Sequence, residues 1–204
     1  MDIRLTIFDL GRVVFEFDWR RAFAAWSRHT AVPAGMTEAD LDDERHAVFE
    51  RGEITAEQFF AHAARVHALT LTFEQFAEGW NAIYGPIYPE VEAVLRRLSG
   101  RVPVVAFTNT NELHRPAWTG RYDDVLALFD EVFVSSLIGL RKPERRGFEH
   151  ILGRFGVVPQ QALFFDDMEA NTRAAAALGI HAVQVSEPND VIRGLERHGL
   201  LDGR

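Results

Sequence analysis

The sequence predicts an α/β protein: a Rossmann-like parallel five-stranded sheet core with an inserted α-helical cap. Three observations predict it. Five short apolar segments rich in β-branched and aromatic residues recur along the chain, and helical patterns separate the later four. After the first segment, residues 18–85 show helical stripes and no strand pattern. Strands that alternate with helices imply a mostly parallel sheet covered on both faces.

The first strand is expected over Ile3–Phe8, ending at Asp9 and followed two residues later by Gly11. The next segment carries stripes at helical spacing: Trp19, Phe23 and Trp26; then Phe59, Ala63 and Val66; then Phe73, Phe76, Trp80 and Ile83. The aromatics of these stripes read as the insertion's own core. "GPIYP" (85–89) reads as the hinge that returns the chain to the sheet. Val91, Val94, Leu95 and Leu98 mark a helix ahead of a strand over Val102–Phe107. A third strand is expected over Glu131–Val134. "PERRGFEHILGRFG" then opens on proline and stops at Gly156, which suits the two ends of a helix. A strand over Ala162–Phe165, a helix from "MEANTRAAAALG" and a strand over Ala182–Val185 complete the pattern. The expected division is a core of residues 1–17 and 86–204 with a helical cap over 18–85.

Composition narrows the function classes. With 204 residues, 47% of them apolar, the chain can bury a substantial core. A formal charge of −8 argues against nucleic-acid and anionic-membrane partners. There is no cysteine, which excludes disulfides, thiolate zinc sites and cysteine nucleophiles. No apolar run reaches the roughly 18 residues of a membrane span. The N-terminus lacks a signal-peptide pattern, so a cytoplasmic enzyme is expected. Lys142 is the only lysine, so any chemistry that requires an ammonium group must use it.

In an open parallel sheet, ligands bind beyond the carboxyl ends of the strands. Asp9, Thr108-Asn109, the "GLRKPE" stretch holding Lys142, and Asp166-Asp167 follow four of the expected strands. Singly each is ordinary turn or cap chemistry. Together they are more specific. Three carboxylates at one edge raise one another's pKa unless a cation joins them. With no cysteine and no histidine cluster, the ligands are oxygens, which favours a hard ion such as Mg²⁺. Carboxylate, lysine and hydroxyl around a divalent ion form a phosphoryl-binding site, where catalysis is chiefly positioning and charge neutralisation.

In order and spacing, "FDLG", "VVAFTN", "RKP" and "FFDD" resemble the four motifs of the haloacid dehalogenase superfamily. "FDLGRVVFEFD", "RGEIT", "TNTNELH", "GLRKPE" and "FFDDMEAN" are similar to a bacterial branch that contains α-D-glucose-1-phosphate phosphatase. The resemblance implies an Mg²⁺-dependent phosphatase acting on a small phosphorylated metabolite. It implies Asp9 as the nucleophile that forms an aspartyl-phosphate. Thr108 would hold the phosphate with Asn109 nearby, and Lys142 would neutralise nucleophile and phosphate. Asp9, the Gly11 carbonyl and Asp167 would bind the metal. Asp166 would bind it through water or hold Lys142, and Asn171 would brace the loop.

Most phosphatases of the superfamily carry a second aspartate where this chain has Gly11, as a general acid and base. Such help is typically worth about 10²–10⁴-fold. Its loss matters least when the leaving oxygen is anomeric, which favours a sugar 1-phosphate. Glu16 and Asp18 are the nearest carboxylates in sequence that could act through water, although cap-hinge contacts suit them better. Two other readings stand beside this one. A 2-haloacid dehalogenase also lacks the second aspartate but needs no metal, against the Asp166-Asp167 pair. The other is a catalytically weak phosphate-binding or regulatory protein. His114 after the second motif, and Arg45, Arg51 and Glu53 in the cap, are further candidates for substrate contact.

Overall fold

Alternate residues of a buried strand face opposite sides, and the strands here carry apolar side chains on both. In the computed structural model, which describes residues 2–32, 36–118 and 120–201, seven strands form in chain order. They are β1 (Leu5–Phe8), β2 (Phe15–Phe17), β3 (Tyr84–Ile87), β4 (Val104–Thr108), β5 (Glu131–Val134), β6 (Ala162–Asp166) and β7 (His181–Gln184). Five make a parallel sheet in the order β5-β4-β1-β6-β7. The expected Rossmann-like α/β sheet is therefore present, with β1 at its centre.

The two faces of the sheet bury two sets of side chains. Leu5, Ile7, Val105, Phe107 and Phe164 pack with Phe148 and Ile151 of the helix Arg145–Phe155, and with Ala175 of the helix Glu169–Ala177. On the other face, Phe8, Val104, Ala106, Leu163 and Phe165 pack with Val91 and Leu95 of the helix Pro89–Leu98, and with Val191 and Leu195 of the helix Pro188–Arg197. Gly156 ends the helix Arg145–Phe155 with a left-handed φ of 63°, the conformation glycine adopts without penalty.

Between β2 and β3 the chain is helical: Trp19–Trp26, Glu38–Leu41, Glu44–Glu50, Ala56–Val66 and Phe73–Asn81. Thr55 and Thr72 each cap the helix that follows them, accepting from Gln58 N and Gln75 N at 3.3 Å. Trp26, Phe59, Phe76 and Trp80 are fully buried together, with Trp26 and Phe76 stacked at 5.2 Å. Val66, expected on the buried stripe, is 49% exposed at the last helical position.

The return segment differs from the expected hinge. Tyr84–Ile87 is a strand, pairing antiparallel with Phe15–Phe17 as a two-stranded ribbon. The strands are three and four residues long, and one contains Gly-Pro, so neither shows the alternation that marks a strand in sequence. Pro86 fits because a two-stranded ribbon leaves each strand with an unpaired edge. Among the described residues, no helix is long and apolar enough to cross a membrane.

Candidate active site

The register of the sheet brings the candidate residues together. Phe8 lies beside Phe165 on β6 and Ala106 on β4. Asp9 is the first residue after β1, so it falls level with Asp166 and one step short of Thr108. Its backbone N–H donates to Phe165 O at 2.8 Å, holding it at the strand end. Lys142 arrives after the short helix Ser135–Ile138 that follows β5. Its backbone is clamped by the carboxamide of Asn109, which donates to Lys142 O and accepts from Lys142 N, both at 2.8 Å.

The Lys142 Nζ lies 2.8 Å from Asp9 Oδ1 and 2.7 Å from Asp166 Oδ2. Its side chain is 1% exposed, and the Phe107 and Phe164 rings flank the ammonium at 5.7 and 5.8 Å. Burial alone would push its pKa down, but Asp166 and Asp9 outweigh burial and raise it. Asp166 is fully buried, and both its oxygens are engaged. One takes Lys142, and the other accepts from Met168 N at 2.8 Å and Asn171 Nδ2 at 2.9 Å.

Asp9, Asp166 and Asp167 each place a carboxylate oxygen within 4.8 Å of the others. Lys142 and Arg12 do not balance the three acids, since Arg12 is shared with Glu38. Burial pushes the Asp9 carboxyl up to about 7; Lys142 opposes the shift, while Asp166 and Asp167 reinforce it. Asp167 is raised too, by burial first and then by Asp166, against the pull of Arg12. The donors are all hard oxygens, and the excess of negative charge is what a divalent cation such as Mg²⁺ relieves.

Asp9, Lys142 and Asp167 line one cavity of about 230 Å³ that also contains Gly11, Thr108 and Asn109, with Asp166 buried behind its wall. Sequence reasoning missed five charged residues of its wall: Arg12, Glu38, Asp42, Glu50 and Arg141. Arg12 and Arg141 adjoin motif residues, which was the available signal. The three acids lie in or next to short helices of the inserted segment, where an acid reads as a solvated cap. Glu16, Asp18, His114, Arg45, Arg51 and Glu53 are absent from the cavity wall. Glu16 pairs with Arg21, Asp18 caps the helix Trp19–Trp26, and Arg51 bonds Glu53 and Glu144. His114 is buried, stacked on Trp80 and bonded to Asn81.

Residues 3–179 match the family model of haloacid dehalogenase-like hydrolases. The chain belongs to this family. It is 28% identical over its whole length to Phosphatase MT3486 of Mycobacterium tuberculosis, covering 99% of that protein. It is also 28% identical, over 95% of its length, to Acyl-CoA dehydrogenase family member 10 of Mus musculus, but spans only 19% of that longer protein. A crystal structure of the family enzyme bt-2542 from Bacteroides thetaiotaomicron, in complex with magnesium and inorganic phosphate, superposes with a TM-score of 0.74. The superposition covers 91% of this chain and 96% of that one at 24% identity. This haloacid dehalogenase-like hydrolase is an enzyme of the phosphoric monoester hydrolase type.

Proposed function

We propose that this hydrolase is an Mg²⁺-dependent phosphatase that cleaves a sugar 1-phosphate through an aspartyl-phosphate on Asp9. The observation that carries the reading is the buried ammonium of Lys142, bonded at once to Asp9 and Asp166 beside the Asp167 carboxylate. In this reading residues 1–17 and 86–204 are the catalytic core, and 18–85 a cap over it.

An oxygen of Asp9 attacks phosphorus, and the bond from phosphorus to the sugar oxygen breaks. That oxygen leaves as an alkoxide and takes its proton from solvent. Water then attacks phosphorus, the bond from phosphorus to the Asp9 oxygen breaks, the water's proton passes to solvent, and inorganic phosphate departs, restoring Asp9. Lys142 holds the attacking carboxylate in line and shields it from the phosphate charge. Thr108 donates to a phosphate oxygen. Asn109 acts through Lys142, since both ends of its carboxamide are engaged there. Asp166 positions Lys142 and in turn is braced by Asn171. Asp9, Asp167 and the Gly11 carbonyl would hold Mg²⁺, with Asp166 behind them. When bound, the ion supplies neutralisation of phosphate charge.

The lack of an acid at residue 11 directs the reading toward an anomeric leaving group, which departs most readily without a proton donor. A panel of phosphorylated metabolites assayed with Mg²⁺ and with EDTA tests it. Hexose 1-phosphates are expected to turn over faster than the 6-phosphates, and only with metal. Equal rates on the two would contradict the substrate assignment. Turnover of a 2-chloro acid in EDTA would move the protein to the dehalogenases.

A further inference from the structure

The cavity wall beyond the phosphate-binding residues has a particular charge arrangement. Its acids come from the inserted helical segment: Glu38 opens one short helix, Asp42 follows that helix, and Glu50 closes the next. Its two guanidinium groups, Arg12 and Arg141, come from the sheet side. Both are already engaged. Arg12 donates from Nη2 to Glu38 at 2.6 Å, from Nη1 to Asp167 at 3.3 Å and from Nε to Phe17 O at 3.2 Å. Arg141 meets Glu50 Oε2 through Nε at 2.9 Å and Nη2 at 2.8 Å.

Among the described residues of this wall, every arginine faces a carboxylate, and the acids outnumber the arginines. A second anionic group on the substrate finds no open cation here and meets like charge. A neutral polyhydroxylated group finds a different surface. Its hydroxyls can donate to carboxylate oxygens. Trp118, also in the wall and only 7% exposed, turns no charge toward the cavity and with Tyr84 gives it a polar-edged aromatic face that suits a hydroxylated group.

We propose that Glu38, Asp42 and Glu50 are specificity-determining residues that admit a neutral polyol as leaving group and turn away monoesters bearing a second phosphate or a carboxylate. The inference rests on the phosphatase reading and adds to it which side chains choose the substrate and what they reject. It concerns the substrate's charge, independent of which sugar position carries the phosphate.

The test is steady-state kinetics of the full chain with Mg²⁺ on p-nitrophenyl phosphate, a hexose 1-phosphate, the matching hexose 1,6-bisphosphate and phosphoglycolate. The hexose 1-phosphate is expected to exceed both doubly anionic substrates by at least tenfold in kcat/KM. Asp42→Asn, at a half-exposed side chain, is expected to narrow that gap by threefold or more by raising kcat/KM for the bisphosphate. Glu50→Gln, which releases Arg141, should narrow it further. A merely structural wall would lower all substrates together. A wild-type enzyme that takes the bisphosphate or phosphoglycolate as well as the hexose 1-phosphate overturns this inference and leaves the phosphatase reading intact. Failure on all four substrates, p-nitrophenyl phosphate included, overturns both.

Discussion

The ring of Phe17 packs closely over residue 11. A Cβ on Gly11 would lie 3.1 Å from Phe17 Cδ2 and 3.3 Å from Cγ. The guanidinium of Arg12 lies against the same ring, 5.3 Å from its centroid. The missing aspartate is thus part of a packing arrangement at the start of the β2–β3 ribbon.

Restoring the acid by Gly11→Asp therefore requires the Phe17 ring to shift, and the single variant is expected to be strained. Overpacking of this kind costs about 1–3 kcal/mol, which in a chain of this size lowers Tm by roughly 2–12 °C. Thermal unfolding and hydrolysis of an alkyl phosphate check it. The single variant should lose stability without gaining rate. Gly11→Asp with Phe17→Ala should gain rate relative to Phe17→Ala alone.

Lys142→Met should be severe in both stability and activity. It removes the only cation bonded to both Asp9 and Asp166, leaving buried carboxylates uncompensated, at a cost of about 3–5 kcal/mol. Loss of charge neutralisation at the phosphate should lower kcat by at least about 10²-fold. Denaturant unfolding and steady-state kinetics read the two effects.

Asn109→Ala should act on kcat more than on KM. Its carboxamide holds the Lys142 backbone through two bonds. Losing them should cost about 1–3 kcal/mol. A misplaced lysine weakens the step in which charge develops more than it weakens binding. An unchanged kcat with a large rise in KM would instead mean that Asn109 contacts the phosphate directly.

Mg²⁺ binding should weaken as pH falls. Asp9, at about 7, and Asp167, also raised, hold protons more readily in the metal-free fold than in the unfolded chain. Keeping them ionised therefore weakens the fold as pH climbs from the ordinary carboxyl range toward 7. An ion that needs them ionised relieves that penalty and competes with protons below it. While one proton must leave, apparent affinity should drop about tenfold per pH unit below 7. The rise in Tm caused by a fixed Mg²⁺ concentration should be larger at pH 8 than at pH 5.5.

The sheet was legible because each strand is a short apolar run bounded by turn residues, and the helices between the later strands carry clear ends. The meeting of Asp9, Thr108, Lys142, Asp166 and Asp167 was legible for the same reason: each ends or follows a strand whose end faces one edge. The roles assigned to them remain proposals. The β2–β3 ribbon was not legible, since three or four residues cannot show a period. Nor was the close approach of Phe17, six residues on, to Gly11. Glu38, Asp42 and Glu50 look in sequence like ordinary solvated acids; only their placement opposite Arg12 and Arg141 distinguishes them.

Trapping the phosphorylated enzyme tests the central claim most directly. With ³²P-labelled hexose 1-phosphate and Mg²⁺, rapid acid quenching should recover label on the protein that is stable in acid and released by hydroxylamine. It should be absent from Asp9→Asn and from enzyme in EDTA. Wild-type protein that turns over substrate while carrying no label, or carries it equally in Asp9→Asn, would contradict a nucleophilic Asp9.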